Sequence, residues 1–365
     1  MRRLPTLEAR RDALEKCVFC PKLCRTTCPV SNEEPRETLT PWGKMSMAYF
    51  SAHGDVEASE SFASPAWACT GCHACKSACD HDNDVAGTLL DARSALKNTC
   101  LLHPAAARAI AKFEAHVLTT DTAVKKLARA TDARADAGTH VLVGCGYLTR
   151  AEESARDIVT VAARLAREPV AIAPGCCGLP LLYAGDHAAF AVHAERFAAA
   201  FGNAERVLVA DSGCAMALRK HYPAAGITVR PKIELLIEFA ARELGRLETI
   251  GSKETVRYHD PCQLSRGLGV TEAPRAVLGR ILGKAPAEFE QNRDHGSCAG
   301  TGGLLPVTMP AVSKRISRSR ADEHTRLGGG QVVTACASSL RAFRKAGALA
   351  DDIATWILRA LPEHS

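Results

Sequence analysis

The sequence predicts a cysteine-dense, α-helical front followed by an α/β region of parallel sheets built as an internal repeat. Three observations carry this expectation. Eight of the 16 cysteines fall in two tight runs before residue 80. Beyond residue 138, short apolar runs alternate with amphipathic helical patterns, the signature of parallel strands flanked by helices. That second part also passes twice through the same order of cysteine motifs.

With 365 residues, 47% apolar and 24% charged, the chain has the composition of an ordinary soluble protein with two or three cores. Disordered and collagen-like classes are excluded. A net charge of +6 is too mild to argue for nucleic acid. The opening MRRLPTLEARRDALEK is charged throughout and has no apolar signal core. No run approaches the roughly 18 apolar residues of a membrane span. These features suggest a cytoplasmic, reducing setting, with thiolates kept as metal ligands and any membrane docking peripheral, through partners.

The front extends to about residue 135, mixing short helices with ligand loops, a turn-rich stretch over 31–41, and Ala-, Lys- and Arg-rich helices over 103–137. Asp136-Ala137-Gly138 marks a boundary. Strands are then expected at 139–144 (THVLVG), 170–173, 207–210, 255–258 and 331–334, with helices at 150–167, 186–201, 233–244, 310–327 and 351–361. The segments become 1–135, 136–250 and 251–365.

The first run is Cys17-x2-Cys20-x3-Cys24-x3-Cys28-Pro29 and the second is Cys69-x2-Cys72-x2-Cys75-x3-Cys79. A short loop wraps three corners of a cubane only with cysteines two or three residues apart, and in two-cluster ferredoxins the fourth cysteine ligates the other cluster. The front is therefore expected to be a two-cluster ferredoxin-like domain. Cys17, Cys20, Cys24 and Cys79 would hold one [4Fe–4S] cluster, and Cys69, Cys72, Cys75 and Cys28 the other. Two structural zinc sites are the alternative, since C-x2-C pairs also bind zinc, but zinc has no use for a crossed fourth cysteine. Asp80 stands where a proline is common, and the first run has one extra residue between its second and third cysteines. Lys22, Arg25 and Lys76 adjoin the ligands as cations that would raise a cluster's potential. His73 and His81 are read as hydrogen-bonding or exposed residues, and the solitary Cys100 as a small buried hydrophobe.

In the back, one half reads GCGYLT, PGCCGLP and DSGCAMAL, and the other DPCQLS, GSCAGTGG and TACASSL. Cys145 thus corresponds to Cys262, Cys177 to Cys298 and Cys214 to Cys336, while Ser297 replaces the partner of Cys176. Sites in open α/β sheets form beyond the carboxyl ends of strands, where Cys145, Cys214 and Cys336 fall. Convergence of Cys145, Cys176, Cys177 and Cys214 argues for metal rather than four buried thiols. Gly144-Cys145-Gly146 fails as a dinucleotide fingerprint because Thr149 occupies the third glycine position. Gly300-Thr301-Gly302-Gly303 lacks the P-loop lysine.

On these motifs the chain resembles the CCG-domain iron–sulfur proteins: the iron–sulfur subunits of glycolate oxidase, anaerobic glycerol-3-phosphate dehydrogenase and lactate utilisation complexes, and more distantly heterodisulfide reductase subunits B and D. The likeness covers nearly the whole chain. It implies that Cys176-Cys177-Gly178 is the name-giving motif and that Ser297-Cys298-Ala299-Gly300 is its degraded copy. In the heterodisulfide reductase members each repeat supplies five cysteines, ending in C-x-x-C, to a noncubane double cluster. Here Ala217 and Ser339 replace the last of them, leaving four ligands in the first repeat and three (Cys262, Cys298, Cys336) in the second.

The resemblance and the cysteine runs together suggest an electron-transfer subunit rather than a complete enzyme. It would relay electrons between a flavoprotein dehydrogenase of a 2-hydroxy acid or similar metabolite and a quinone or other acceptor. The first repeat would hold a third cluster or zinc. A heterodisulfide reductase-like enzyme, with the repeats as active site, and a zinc-stabilised scaffold are the alternatives.

Overall fold

The computed structural model describes residues 1–22, 24–56 and 59–362. Among them the strands are β1 (Thr139–Leu142), β2 (Val170–Ile172), β3 (Arg206–Val209), β4 (Lys232–Leu235), β5 (Val256–Tyr258), β6 (Ala287–Glu288), β7 (Gln331–Thr334) and β8 (Ala350–Asp352). They form two four-stranded sheets, ordered β2-β1-β3-β4 and β6-β5-β7-β8, parallel at every pairing. The identical strand order is the structural form of the sequence repeat. Central strands β1, β3, β5 and β7 are almost wholly buried, as strands covered by helices on both faces must be. This explains the Val and Leu that dominate them, although β1 also carries His140 and β5 Arg257.

Two helical expectations are corrected. Residues 232–235 and 350–352 are the edge strands β4 and β8, and the helices begin only at Leu236 and Ile353. Ladder pairing with β3 and β7 satisfies these backbones before the helical run starts. Charged Lys232, Glu234, Asp351 and Asp352 hide the strand signal, which an edge position tolerates. Strand β6 and the helices Leu179–Ala184, Glu272–Leu282 and Ala337–Lys345 are further elements that the sequence pattern does not announce.

The chain divides into two compact units. The first comprises Met1–Phe113, Pro180–Phe190 and Asp294–Arg320, and the second Glu114–Leu179, Ala191–Arg293 and Ala321–Ser365. The segment 180–190 follows the second cysteine motif of the first repeat, and 294–320 contains that of the second. In the first unit, Leu7, Leu14, Met45, Trp67 and Leu89 share a core with Ala184. Each large side chain there stabilises the fold by about 1.5–3 kcal/mol through burial. A second cluster gathers Cys28, Val30 and Leu39 with Leu305, Val312 and Ile316.

In the second unit the two repeats are tied by polar contacts, one buried and one part-buried. The Tyr147 hydroxyl donates to the Asp352 carboxylate, and Thr355 Oγ1 donates to Asp157 Oδ2 at 2.6 Å.

Candidate metal centres

All sixteen cysteines are free thiols. In the first unit, Cys17 lies in the helix Arg11–Val18, and the Cys20 amide turns back to the Cys17 carbonyl at 3.1 Å. Cys28 caps the helix Pro29–Glu33, with Pro29 at its first turn, where a missing amide costs nothing. Cys75 sits in the short helix Ala74–Ser77, entered through a left-handed His73.

Cys17, Cys20, Cys24, Cys75 and Cys79 line one cavity together with Trp42 and Asn83. Burial, then Cys24, Cys79 and Cys20, push the Cys17 thiol up to about 12, with Asn83 opposing. Burial, then Cys79 and Cys20, raise Cys24 to about 11. Cys75 also adjoins the remaining thiols: it is raised by burial and then by Cys69, Cys72 and Cys28, ahead of Cys24. Thiols crowded this way resist losing their protons unless a cation replaces them. The donor set therefore fits iron bound through soft thiolates.

The polar surroundings differ from those anticipated. Lys22 pairs with Glu37 at 3.0 Å and lies over the Trp42 ring. Arg25 also pairs with Glu37, and Lys76 with Asp82. Two buried cations that motif reading missed also lie against the cysteine loops. Lys44 Nζ lies 3.3 Å from Cys28 Sγ. Arg93 donates to the carbonyls of Ala66, Cys69, Tyr183 and Gly303 at 2.8–3.1 Å. Burial works against the Lys44 ammonium, but the neighbouring Cys28, Cys69 and Cys75 raise its pKa above the usual lysine value. Asn83 Nδ2 donates to Cys17 Sγ at 3.0 Å. Cys100 is corrected: it is exposed, in a left-handed turn after the helix Val85–Lys97, and packs into no core.

In the second unit, Cys145 opens a helix after β1, Cys176 and Cys177 follow β2, and Cys214 lies in the helix Ser212–Met216 after β3. These adjacent parallel strands deliver the four cysteines to one end of the sheet. His116, on the helix Phe113–Arg129, joins them: its ring nitrogen and the sulfurs of Cys145 and Cys176 all lie within 4.8 Å of one another. Two glycines make this possible. Gly144 has φ +95°, and a Cβ there would meet Asp211 Cβ at 2.8 Å and Cys214 Sγ at 3.3 Å. A Cβ on Gly175 would strike Thr120 Cβ at 2.4 Å. Thr120 is one helical turn from His116, so the missing side chain lets the histidine's helix approach the Cys176 loop.

A hydrogen bond from Cys176 and the His116 ring lower the Cys145 pKa well below a thiol's usual value despite burial. The same Cys145 contact raises Cys176, and contact with Cys177 followed by burial raises Cys214. The Tyr222 hydroxyl donates to the Cys177 carbonyl at 3.0 Å, and His193 Nε2 lies 2.9 Å from the Cys176 carbonyl. Thiolates with an imidazole are a donor set that suits zinc and iron alike.

The second repeat is less concentrated. Cys262 precedes the π-turn Gln263–Gly267, and Cys336 caps the helix Ala337–Lys345. Both belong to the second unit, whereas Cys298, buried and accepting from the Gly300 amide at 3.3 Å, belongs to the first. Burial and then the Asp211 carboxylate raise Cys336 to about 11. Beside Cys262, buried Asp260 is clamped by both terminal nitrogens of Arg275 at 2.7–2.8 Å. His259 packs edge-on between Phe343 and Phe289.

A repeated parallel α/β fold joined to a helical unit rich in free cysteines defines an iron–sulfur protein of the electron-transfer class. A 4Fe-4S dicluster domain model matches residues 13–83, and a cysteine-rich domain model, CCG, matches residues 139–219 and 256–343. The chain thus carries a 4Fe-4S dicluster domain and two copies of the CCG cysteine-rich domain. It is 29% identical over 161 residues to a subunit of the fumarate reductase (CoM/CoB) of Methanothermobacter marburgensis, covering 44% of this chain and 32% of that one. It is 28% identical over 176 residues to a subunit of the dihydromethanophenazine:CoB–CoM heterodisulfide reductase of Methanosarcina barkeri, covering 44% and 42%. It is 29% identical over 152 residues to lactate utilization protein A of Shouchella clausii, covering 39% and 62%. The chain thus matches between about a third and three fifths of the length of these relatives. Among the described residues, no helix is long and apolar enough to cross a membrane.

Proposed function

We propose that this chain is an electron-relay subunit. It would take electrons from a flavoprotein dehydrogenase of a 2-hydroxy acid or similar metabolite and pass them to a quinone or other acceptor. The observations that support this reading are that Cys79, of the second run, lines one cavity with Cys17, Cys20 and Cys24, and that Cys28, of the first run, acts on Cys75 together with Cys69 and Cys72. On this reading Cys17, Cys20, Cys24 and Cys79 hold one [4Fe–4S] cluster and Cys28, Cys69, Cys72 and Cys75 the other. Such clusters, when bound, accept and release single electrons. The protein's part is to supply thiolates, bury them, and place amide, Asn83 and Lys44 hydrogens on the sulfurs. Lactate utilization protein A among the relatives agrees with a hydroxy-acid system, and this reading assigns the oxidation itself to the flavoprotein partner.

In the first repeat, Cys145, Cys176, Cys177 and Cys214 with His116 form a third metal site, for zinc or a further cluster. A reductase reading is favoured by one observation: two relatives are subunits of enzymes named for CoM and CoB chemistry. The missing fifth cysteines in both repeats count against it.

The two readings part on one experiment. The triple variant Cys262→Ala, Cys298→Ala, Cys336→Ala of the full chain should keep the front-cluster EPR signals and most electron flux from a flavin partner. Loss of flux with both front signals intact would move the assignment to a reductase with the second repeat in its active site.

A further inference from the structure

The two front cysteine sets differ in the charge placed around them. Beside Cys28 and Cys69 lie two fully buried cations. Lys44 is 2% exposed and Arg93 is 1% exposed. Lys44 Nζ reaches Cys28 Sγ at 3.3 Å. Arg93 Nη2 reaches the Cys69 carbonyl at 2.9 Å, and its other hydrogen bonds also end on carbonyl oxygens. Among the described ion pairs, neither cation meets a carboxylate. Two positive charges are therefore buried without an acid to balance them. Around the other set the cations are partly exposed, and each shares a carboxylate: Lys16 with Asp12, and Lys22 and Arg25 with Glu37. Lys76, which lies between Cys75 and Cys79, is likewise partly exposed and paired, with Asp82. The described side-chain hydrogen bond to a sulfur of that set comes from a neutral amide, Asn83 to Cys17.

Uncompensated buried charge is costly unless an opposite charge is supplied. A cubane with four thiolates supplies it, and one-electron reduction adds one more negative charge beside the cations. Burial alone works the other way, because a low-dielectric site disfavours added charge. Two unscreened cations in contact with the ligand loop outweigh that effect, whereas half-exposed, acid-paired lysines are largely screened.

We propose that Lys44, with Arg93, makes the cluster on Cys28, Cys69, Cys72 and Cys75 the higher-potential member of the pair, so that it is the electron sink of the first unit. The cluster on Cys17, Cys20, Cys24 and Cys79 is then the lower-potential donor to it. This inference rests on the two-cluster reading above. Lys44 acts here as a positioning residue for charge and does not itself transfer the electron.

The test is an EPR-monitored redox titration of the anaerobically prepared full-length protein and its Lys44→Met and Lys44→Gln variants. Cys20→Ser and Cys72→Ser variants mark which signal belongs to which cysteine set. In the unaltered protein the signal marked by Cys72 should titrate at the higher potential. Both Lys44 variants should move that midpoint downward by at least the equivalent of a tenfold change in the reduction equilibrium, about 59 mV for one electron. The signal marked by Cys20 should stay in place, and Lys44→Arg should restore most of the shift. An unmoved Cys72-marked signal, a shift confined to the Cys20-marked signal, or a lower potential for the Cys72-marked cluster in the unaltered protein would each overturn the proposal. If Lys44→Met fails to take up iron, Lys44→Gln decides. Unaltered protein with only one cluster signal, or far fewer than about eight irons, would instead overturn the two-cluster reading itself.

Discussion

Asp211 of the first repeat accepts the backbone amide of Ala337, in the second repeat, at 3.2 Å through Oδ2. Through Oδ1 it caps its own helix, accepting from Gly213 at 2.9 Å and Cys214 at 3.3 Å. One carboxylate thereby fixes the backbone at the last cysteine of both repeats, Cys214 directly and Cys336 through its neighbour. Asp211→Ala should destabilise the full chain by about 2 kcal/mol, the upper end of the range for loss of a helix cap, because a buried amide of the other repeat is also stranded. Anaerobic urea denaturation measures this, and a change below about 0.5 kcal/mol would show that the bridge contributes little.

Asp352 is a second carboxylate that joins the repeats. Burial pushes its pKa up to about 7, against hydrogen bonds from Tyr147 and the Ala354 amide. Its unfolded value is about 3.9, so the folded state holds the proton more tightly. The stability this contributes is fully present below about pH 4 and is lost as pH rises through about 7. Asp352→Asn, which keeps an acceptor for the Ala354 amide, should flatten the fall of stability across that window. An unchanged slope in denaturation curves collected from pH 4 to 8 would show that another group is responsible.

The crossed assignment predicts which signal each ligand change damages. Cys28→Ala should disturb the cluster of Cys69, Cys72 and Cys75, and Cys79→Ala the cluster of Cys17, Cys20 and Cys24. Should each change remove only the signal of its own run, as judged by EPR of the reduced protein, the ligand sets are uncrossed.

For the first repeat, His116→Ala and Cys145→Ser should each lower bound metal in the full chain without loss of the front signals. Metal release should become easier as pH falls, since a ligand thiolate and a ligand imidazole must both be unprotonated. Element analysis after dialysis at pH 8 and pH 6 reads this. Metal content unchanged in both variants would leave these residues as a buried hydrogen-bonded cluster.

Gly175→Ala probes how the histidine is brought in. A Cβ there has no room against Thr120, so the helix carrying His116 must move away. The variant should lose metal from this site about as strongly as His116→Ala, while Gly245→Ala, whose Cβ would meet nothing within 4 Å, should not.

Much of this was legible in the sequence because cysteine spacing is short-range information. Runs of two- and three-residue gaps, and cysteines placed just past Val- and Leu-rich strands, announce loops and sheet ends directly. Lys44, Arg93 and His116 were not legible in the same way. Each is a polar residue in a helix, and its partner lies far along the chain, so no spacing links Arg93 to Gly303 or His116 to Cys145. A faint trace existed for two of them. Lys44 stands in WGKMSMAYF, which is apolar on nearly every side, and Arg93 lies on the same helical face as Leu89 and Leu96. Strands β4 and β8 escaped because three or four charged-and-apolar residues running straight into a helix share its period.

The make-up of the first unit also bears on how the protein is born. Met1–Phe113 emerges early from the ribosome, yet its core includes Leu305, Val312 and Ile316 packed with Cys28, and Arg93 closes onto the carbonyls of Tyr183 and Gly303. At about 5–20 residues per second, the nascent front waits roughly ten to forty seconds for its last piece. Throughout that interval the apolar partners of Cys28 and two of the carbonyl partners of Arg93 are still to be made. The full enclosure of Cys28 and Arg93 accordingly follows, rather than accompanies, synthesis of the cysteine runs.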